Sequence, residues 1–235
     1  MRFDACAHAY DTYAGPQRVF AALVADFVQV RSGEDILELG AGTGALTRHL
    51  SAKAGASLQA TDASPAMVIQ GRAAVPAAIW RELDAFQEPV SQASLQVSSG
   101  LLQWAEEPVR VLRRWREALK RDGRMVHAFP CDPCLKEWRA VVKETPVVWR
   151  DEATWGELFS AAGLQVRRKE LWVHQAVFPT ALDMVRALHR SGVTGRARLG
   201  PGQLRQSLRA YEAQYRQASG IVATWAWLAV EAVAG

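Results

Sequence analysis

The stretch Glu38-Leu39-Gly40-Ala41-Gly42-Thr43-Gly44 constrains this chain more than any other. It follows the apolar pair Ile36-Leu37 and precedes a helix-like segment, residues 44–54. A strand, a glycine-rich turn and a helix N-terminus in that order form a seat for a nucleotide-like ligand. Glycine permits left-handed conformations and close backbone approach that a Cβ blocks. The first amides of the helix lack intrahelical partners and can face an acceptor on the ligand. Each glycine also costs conformational entropy on folding, so three in five residues argue against a plain strand-to-helix turn.

The spacing leaves two ligand classes open. Gly40-x-Gly42-x-x-Ala45 satisfies the loose dinucleotide pattern. The fuller run, with Glu38 two residues before Gly40 and with Gly44 added, resembles the first motif of class I S-adenosylmethionine-dependent methyltransferases. Downstream, a short strand over 57–61 ends at Asp62, where a carboxylate can accept hydrogen bonds from both ribose hydroxyls. Ser64 and Pro65 then open a helix as N-cap and first residue. A third strand, 78–83, ends at Asp84. In the methyltransferases an acid there faces the adenine amino group, a contact a dinucleotide enzyme does not need. The same resemblance implies a cofactor lining of Ala41, Thr43, Ala63, Met67, Ala85 and Ser98, with Tyr10 closing over it.

The order of elements is that of a doubly wound, Rossmann-like α/β sheet with the ligand at the carboxyl ends of its strands. An amino-terminal helical segment, 1–30, precedes the first strand, and Val19, Ala22, Leu23, Asp26 and Phe27 fall on one stripe of it. Strands are expected at 35–39, 57–61, 78–83, 94–99, 124–129, 164–178 and 221–230. Helices are expected at 44–54, 65–74, 106–120 and 151–162. Asp122-Gly123 reads as a turn and Gly163 as a helix end. Two further helical stretches, 180–191 and 201–218, interrupt the sheet, so residues 179–218 read as a lid within one domain spanning 1–235. The last strand is almost wholly apolar, as a buried strand should be.

Beyond the glycine turn the chain resembles malonyl-[acyl-carrier protein] O-methyltransferases of biotin synthesis along nearly its whole length. The resemblance is carried by the pattern Phe3-x-x-x-Ala7-x-x-Tyr10-x-x-x-Ala14-x-x-Gln17 and by Val97-Ser98-Ser99-Gly100-Leu101-Leu102-Gln103-Trp104. Cys134-Leu135-Lys136-Glu137-Trp138 and Ser191-Gly192-Val193-Thr194-Gly195 extend it. One departure is Ser94, where that family commonly carries an acid. The resemblance implies methyl transfer from S-adenosylmethionine, which leaves as S-adenosylhomocysteine, to the carboxylate of a malonyl thioester on acyl carrier protein. A carboxylate is ionised at neutral pH, so such a transfer requires alignment and exclusion of water rather than a general base. Trp104 is the aromatic candidate for lining the acceptor channel, and Arg196 or Arg198 for gripping the acceptor carboxylate. Trp225 and Trp227 read as structural. A related enzyme acting on a free acid or hydroxyl, and a non-catalytic cofactor-binding scaffold, are the alternatives.

Charge points to the same partner. Residues 1–109 hold 7 Lys/Arg against 12 Asp/Glu, whereas 110–235 hold 21 against 12. The excess concentrates at Arg186, Arg190, Arg196, Arg198, Arg205, Arg209 and Arg216. Arg205, Arg209 and Arg216 have the spacing of one helical face, suited to steering an acidic carrier protein; a solvated basic face is the plainer reading. No aromatic-basic nucleic-acid motif accompanies these arginines. With 3 cysteines a disulfide framework is not expected, nor is a metal site, since Cys131-x-x-Cys134 has no second pair. The first residues lack the apolar core of a secretion signal and no 18-residue apolar run occurs, so a cytoplasmic enzyme off the membrane is the expectation.

Overall fold

The computed structural model describes residues 15–53, 57–142, 144–145, 147–190 and 199–235. The order of elements is α1 (Gly15–Val28), β1 (Ile36–Leu39), α2 (Ala45–Lys53), β2 (Leu58–Asp62), α3 (Pro65–Ala74), β3 (Ile79–Glu82), β4 (Ala93–Ser99), α4 (Pro108–Glu117) and β5 (Leu119–Pro130). Then follow α5 (Lys136–Val141), α6 (Glu152–Ala161), β6 (Leu164–Phe178), α7 (Ala181–Arg190), α8 (Pro201–Tyr215), β7 (Arg216–Gln217) and β8 (Gly220–Ala234). A short 3-10 turn, Leu102–Trp104, sits between β4 and α4.

The strands form one sheet in the order β3-β2-β1-β4-β5-β8-β6, with β7 pairing β8. β1 to β5 run parallel to one another, and β8 enters antiparallel between β5 and β6. The strand order reverses at β1/β4, and the carboxyl ends there open the crevice in which such sheets bind ligands. Both faces are covered. Phe20 and Val24 of α1, Leu46 of α2, Val68 of α3 and Met184 of α7 share one core with Tyr211 of α8. Leu112 and Trp115 of α4 pack with Trp155 and Phe159 of α6 in the other. The sheet is therefore doubly wound, with α7 and α8 inserted between β6 and β8.

Local chemistry explains most boundaries. Ser64 accepts a hydrogen bond from the Met67 amide at 3.2 Å and Pro65 follows as the first helical residue, so α3 begins where its cap dictates. Asp151 caps α6 through the Thr154 amide at 2.8 Å, and Gly163, at φ +75°, ends that helix. The last strand continues past Val230 because Glu231 is matched by Arg124 and Arg168, at 3.1 Å each. The expected helix 106–120 is shorter, because Pro108 opens it and β5 already starts at Leu119. Asp122 (φ +59°) and Gly123 make a kink within β5 rather than a turn before it.

The apolar stripe expected on α1 is a correction. Val19 and Leu23 are 53% and 36% exposed, and Asp26 is exposed too. Of the expected stripe only Phe27 is buried, and Phe20, Ala21, Val24, Ala25 and Val28 join it. The helix is apolar on several sides, so periodicity alone does not choose the inner face. The choice is made by Phe20, which stacks on Trp227 of β8 with centroids 4.8 Å apart and planes 8° from parallel.

Candidate active site

β1 delivers four buried residues to the glycine turn. Gly40, Gly42 and Gly44 all take positive φ, +66°, +57° and +91°. Their surroundings differ. A Cβ on Gly40 would meet Leu101 Cδ1 at 2.9 Å, and one on Gly44 would press on Val75 and Trp80 at 3.2 and 3.3 Å. A Cβ on Gly42 would meet nothing within 4 Å. Gly40 thus admits the loop after β4, Gly44 lets α2 pack, and Gly42 fronts open space. The Ala41 amide donates to the Thr61 carbonyl at 2.8 Å, tying the turn to the end of β2. Ala41 and Thr43 are buried beneath it.

Asp62 stands beside that open face. Its Oδ2 accepts from the Gly42 amide and its Oδ1 from the Ser64 amide, both at 2.9 Å. The carboxylate plane is therefore fixed by the glycine turn and by the start of α3. Thr61 Oγ1 donates to the Glu38 carbonyl at 2.8 Å, locking β2 against β1 one residue earlier. Ala63 is half-buried, and Met67 lies beneath at 2% exposure. At the end of β3, Asp84 Oδ1 accepts from the Phe86 amide at 3.0 Å, and the Ala85 carbonyl accepts from Trp115 Nε1 at 3.0 Å. Glu38, Gly40–Gly44, Asp62 and Asp84 thus share the carboxyl ends of adjacent strands.

Glu38 is the electrostatic anomaly of the site. It is 1% exposed, and Oε2 of its carboxylate has no hydrogen-bond partner. Burial pushes its pKa from an ordinary 4.5 up to about 8, Asp62 adds to the rise, and Thr47 opposes it. At neutral pH the group is mostly a carboxylic acid. An unpaired buried carboxyl at the mouth of a positive-φ cradle fits a ligand that carries polar, partly cationic groups.

Not every expected residue faces the crevice. Ser98 is fully buried, and its hydroxyl lies 2.8 Å from His127 Nδ1 on the α4 side of the sheet. His127 sits beside Trp115, with ring centroids 4.9 Å apart, and burial lowers its pKa to about 3, so it stays neutral. Strand alternation turns Ser98 inward, leaving Ser99 and Gly100 at the crevice. Trp104 is half-buried in the 3-10 turn. Tyr10, Arg196 and Arg198 lie outside the described residues. Gln103, part of the family-like run after β4, ties the loop back on itself: its Nε2 donates to the Gly100 carbonyl at 2.7 Å. The Gln-Trp pair after β4 was a usable signal for Gln103. Trp227 is 3% exposed in the core and stacks on Phe20 of α1.

Cys131 and Cys134 are buried free thiols, and burial pushes the pKa of each up to about 12. Among the described residues no group of three or more His, Cys, Asp or Glu could hold a metal ion. No helix among them is long and apolar enough to cross a membrane. The basic surface is smaller than its sequence count. Arg216 lies beyond the end of α8 and is paired with Glu212, while Arg186 is paired with Asp183 at 3.5 Å. The Arg190 side chain lies outside the described residues. Arg205 and Arg209 remain exposed on one face of α8.

A methyltransferase-domain family model matches residues 37–125, the span from β1 to the kink in β5. In fold the chain is similar to a Bacillus halodurans protein provisionally assigned as a methyltransferase, with a TM-score of 0.70 at 10% identity over 90% of this chain and 97% of that one. With the acid-bearing glycine turn, these make the chain a class I methyltransferase that uses S-adenosylmethionine and releases S-adenosylhomocysteine. Its full-length relatives narrow the class. It is 30% identical to a malonyl-[acyl-carrier protein] O-methyltransferase of Herminiimonas arsenicoxydans, over 87% of this chain and 85% of that protein. It is 31% identical to a biotin biosynthesis bifunctional protein of Bordetella avium over 91% of this chain, and spans about half (48%) of that longer protein. The chain belongs to the malonyl-[acyl-carrier protein] O-methyltransferase family.

Proposed function

We propose that the protein methylates the free carboxylate of a malonyl thioester on acyl carrier protein, an early step in making the pimeloyl part of biotin. The observation that carries this reading is the near-full-length likeness to enzymes of that name. Bound S-adenosylmethionine supplies a methyl group on a sulfonium. Every remaining task falls to the chain. The Asp62 carboxylate, braced by the Gly42 and Ser64 amides, holds the ribose hydroxyls. Asp84 and Ala85 bound the adenine, and the open face at Gly42 admits the backbone-hugging part of the cofactor. Glu38 offers its unpaired oxygen to the methionine end.

The acceptor carboxylate arrives ionised, so no side chain has to remove a proton before attack. The neutral His127 behind the sheet is consistent with that economy. The chain's contribution is alignment at near-attack distance and a dry cleft, built from Leu101, Trp104 and the ends of β4 and β5. Arg205 and Arg209 carry the docking of the acidic carrier, because Arg186 and Arg216 already have acidic neighbours. Incubating the protein with malonyl-carrier protein and S-adenosylmethionine tests the reading. The acyl arm should gain the mass of one methyl group. Methylation of free malonate or of an unrelated hydroxyl, with the carrier-bound acid untouched, would refute it.

A further inference from the structure

The sheet ends in two outer strands, β3 and β6, and their free edges are finished differently. β3 is 4 residues long and carries exposed Arg81 and Glu82. Brevity and charge protect an edge, whose unpaired N–H and C=O groups otherwise offer a template to another strand. β6 is 15 residues long and, among the described residues, pairs on one side only, with β8. Charge protects its first half too, through Arg167, Arg168, Lys169 and Glu170. Its second half, Leu171-Trp172-Val173-His174-Gln175-Ala176-Val177-Phe178, holds no Lys, Arg, Asp or Glu, and proline comes only at Pro179. Val173 and Val177 are 56% and 50% exposed there. Register with β8 is unbroken from Arg168 to Phe178, so side chains alternate regularly. Val173, Gln175 and Val177 share one face of the strand, and Trp172, His174, Ala176 and Phe178 the other.

Such an edge is complementary to a second copy of itself. Two antiparallel strands related by a dyad normal to the sheet set residues equally far either side of that dyad opposite one another, on the same face. With Gln175 at the dyad, Val173 of each copy faces Val177 of the other, so both exposed valines are covered twice over. On the other face Trp172 meets Phe178 and His174 meets Ala176, and aromatic cross-strand pairs of this kind stabilise a sheet. Leu171 then faces Pro179, whose missing N–H ends the ladder before any charged residue enters it. Neighbouring registers are worse. A dyad at His174 sets Glu170 opposite Phe178, and one at Ala176 sets Val173 opposite Pro179. We infer that β6 is a dimer interface: a second copy of this chain adds its own β6 antiparallel, over Trp172–Phe178, and the sheet continues across the dyad at Gln175. The run supplies about seven main-chain hydrogen bonds. An interface this short gives a dimer that exchanges with monomer, with a dissociation constant on the order of micromolar.

Sedimentation equilibrium over about 1 to 300 µM brackets that range. The average mass should climb from 25.8 kDa toward twice that value. Gln175 is the one residue of the run that meets its own copy, so it decides the register. Gln175→Lys and Gln175→Glu each set like charges face to face, and each should weaken the dimer about tenfold or more. Mixed one to one, the two variants should associate about as well as wild type, because Lys then faces Glu. Val173→Lys should weaken the dimer as well. Both positions are exposed in the single chain, so circular dichroism and S-adenosylhomocysteine affinity should match wild type in every variant. A wild-type mass fixed at the monomer value overturns the inference, whether the edge is then free, covered by the chain's own residues or reserved for a different protein. A dimer indifferent to these substitutions, or one that the Lys and Glu variants fail to restore together, overturns it equally.

Discussion

Glu38→Gln should make the protein more stable, and by an amount that grows with pH. The wild-type carboxyl titrates near 4.5 when the chain is unfolded and near 8 in the fold, where it is 1% exposed. Between those values the folded state holds a proton that the unfolded state has released. Stability therefore falls as pH rises through this window, and the whole cost is present above about 8. At 1.36 kcal/mol per pKa unit, the difference amounts to roughly 5 kcal/mol at alkaline pH and about 3 at pH 7. That is a sizeable share of the 5–15 kcal/mol typical of a folded domain. Glutamine has the shape of the protonated acid but cannot ionise, so its variant escapes this cost. Urea unfolding followed by circular dichroism would read the difference. With a slope near 3 kcal/mol per molar, the variant's midpoint should exceed wild type by only about 0.3 M at pH 5 and by about 1.5 M at pH 9. The variant should at the same time bind S-adenosylhomocysteine more weakly. Parallel midpoints from pH 5 to 9 would refute the argument, since the carboxyl would then be titrating as if in water.

Three further outcomes are expected. Asp62→Ala removes the acceptor for two backbone amides and for the ribose; calorimetry should show S-adenosylhomocysteine affinity reduced at least tenfold. Arg124→Met strands Glu34, which now pairs with Arg124 at 2.8 Å, and takes one partner from Glu231; it should cost about 3–5 kcal/mol in urea unfolding. Reversing Arg205 and Arg209 to Glu together should raise KM for malonyl-carrier protein and flatten its salt dependence, while KM for S-adenosylmethionine stays put.

The parts of this molecule legible in its sequence are those in which local chemistry has one solution. Glu38 to Gly44, Asp62 and the Ser64-Pro65 helix start are fixed by steric and capping rules acting over a few residues, and the structure places them side by side. The edge strand β6 was read to its exact limits because Gly163 precedes it and a helix start follows. What escaped depends on long-range packing. The inner face of α1 is selected by Trp227, more than 200 residues away in sequence. The length of β8 depends on two arginines from other strands neutralising Glu231. Ser98 has the right position in its motif, yet which side of the sheet it faces follows from the pairing of β4 with β5. The helix α5 and the turn at Leu102–Trp104 are too short for any periodicity to register.

The antiparallel seat of β8 between β5 and β6 has a consequence for how the protein is made. Among the described strands, β6 pairs only with β8, from Leu164 opposite Ala234 to Phe178 opposite Ile221. A nascent chain that has emerged as far as Phe178 thus holds a 15-residue strand with nothing to bond to. Its Trp172, Val173 and Val177 are then bare on an open edge, the kind of surface that recruits other chains. At 5–20 residues per second, several seconds pass before Gly220–Ala234 exists to close it. The cofactor half, β1 to β5, can assemble during that interval. The β6 half cannot, and its edge stays open until β8 arrives.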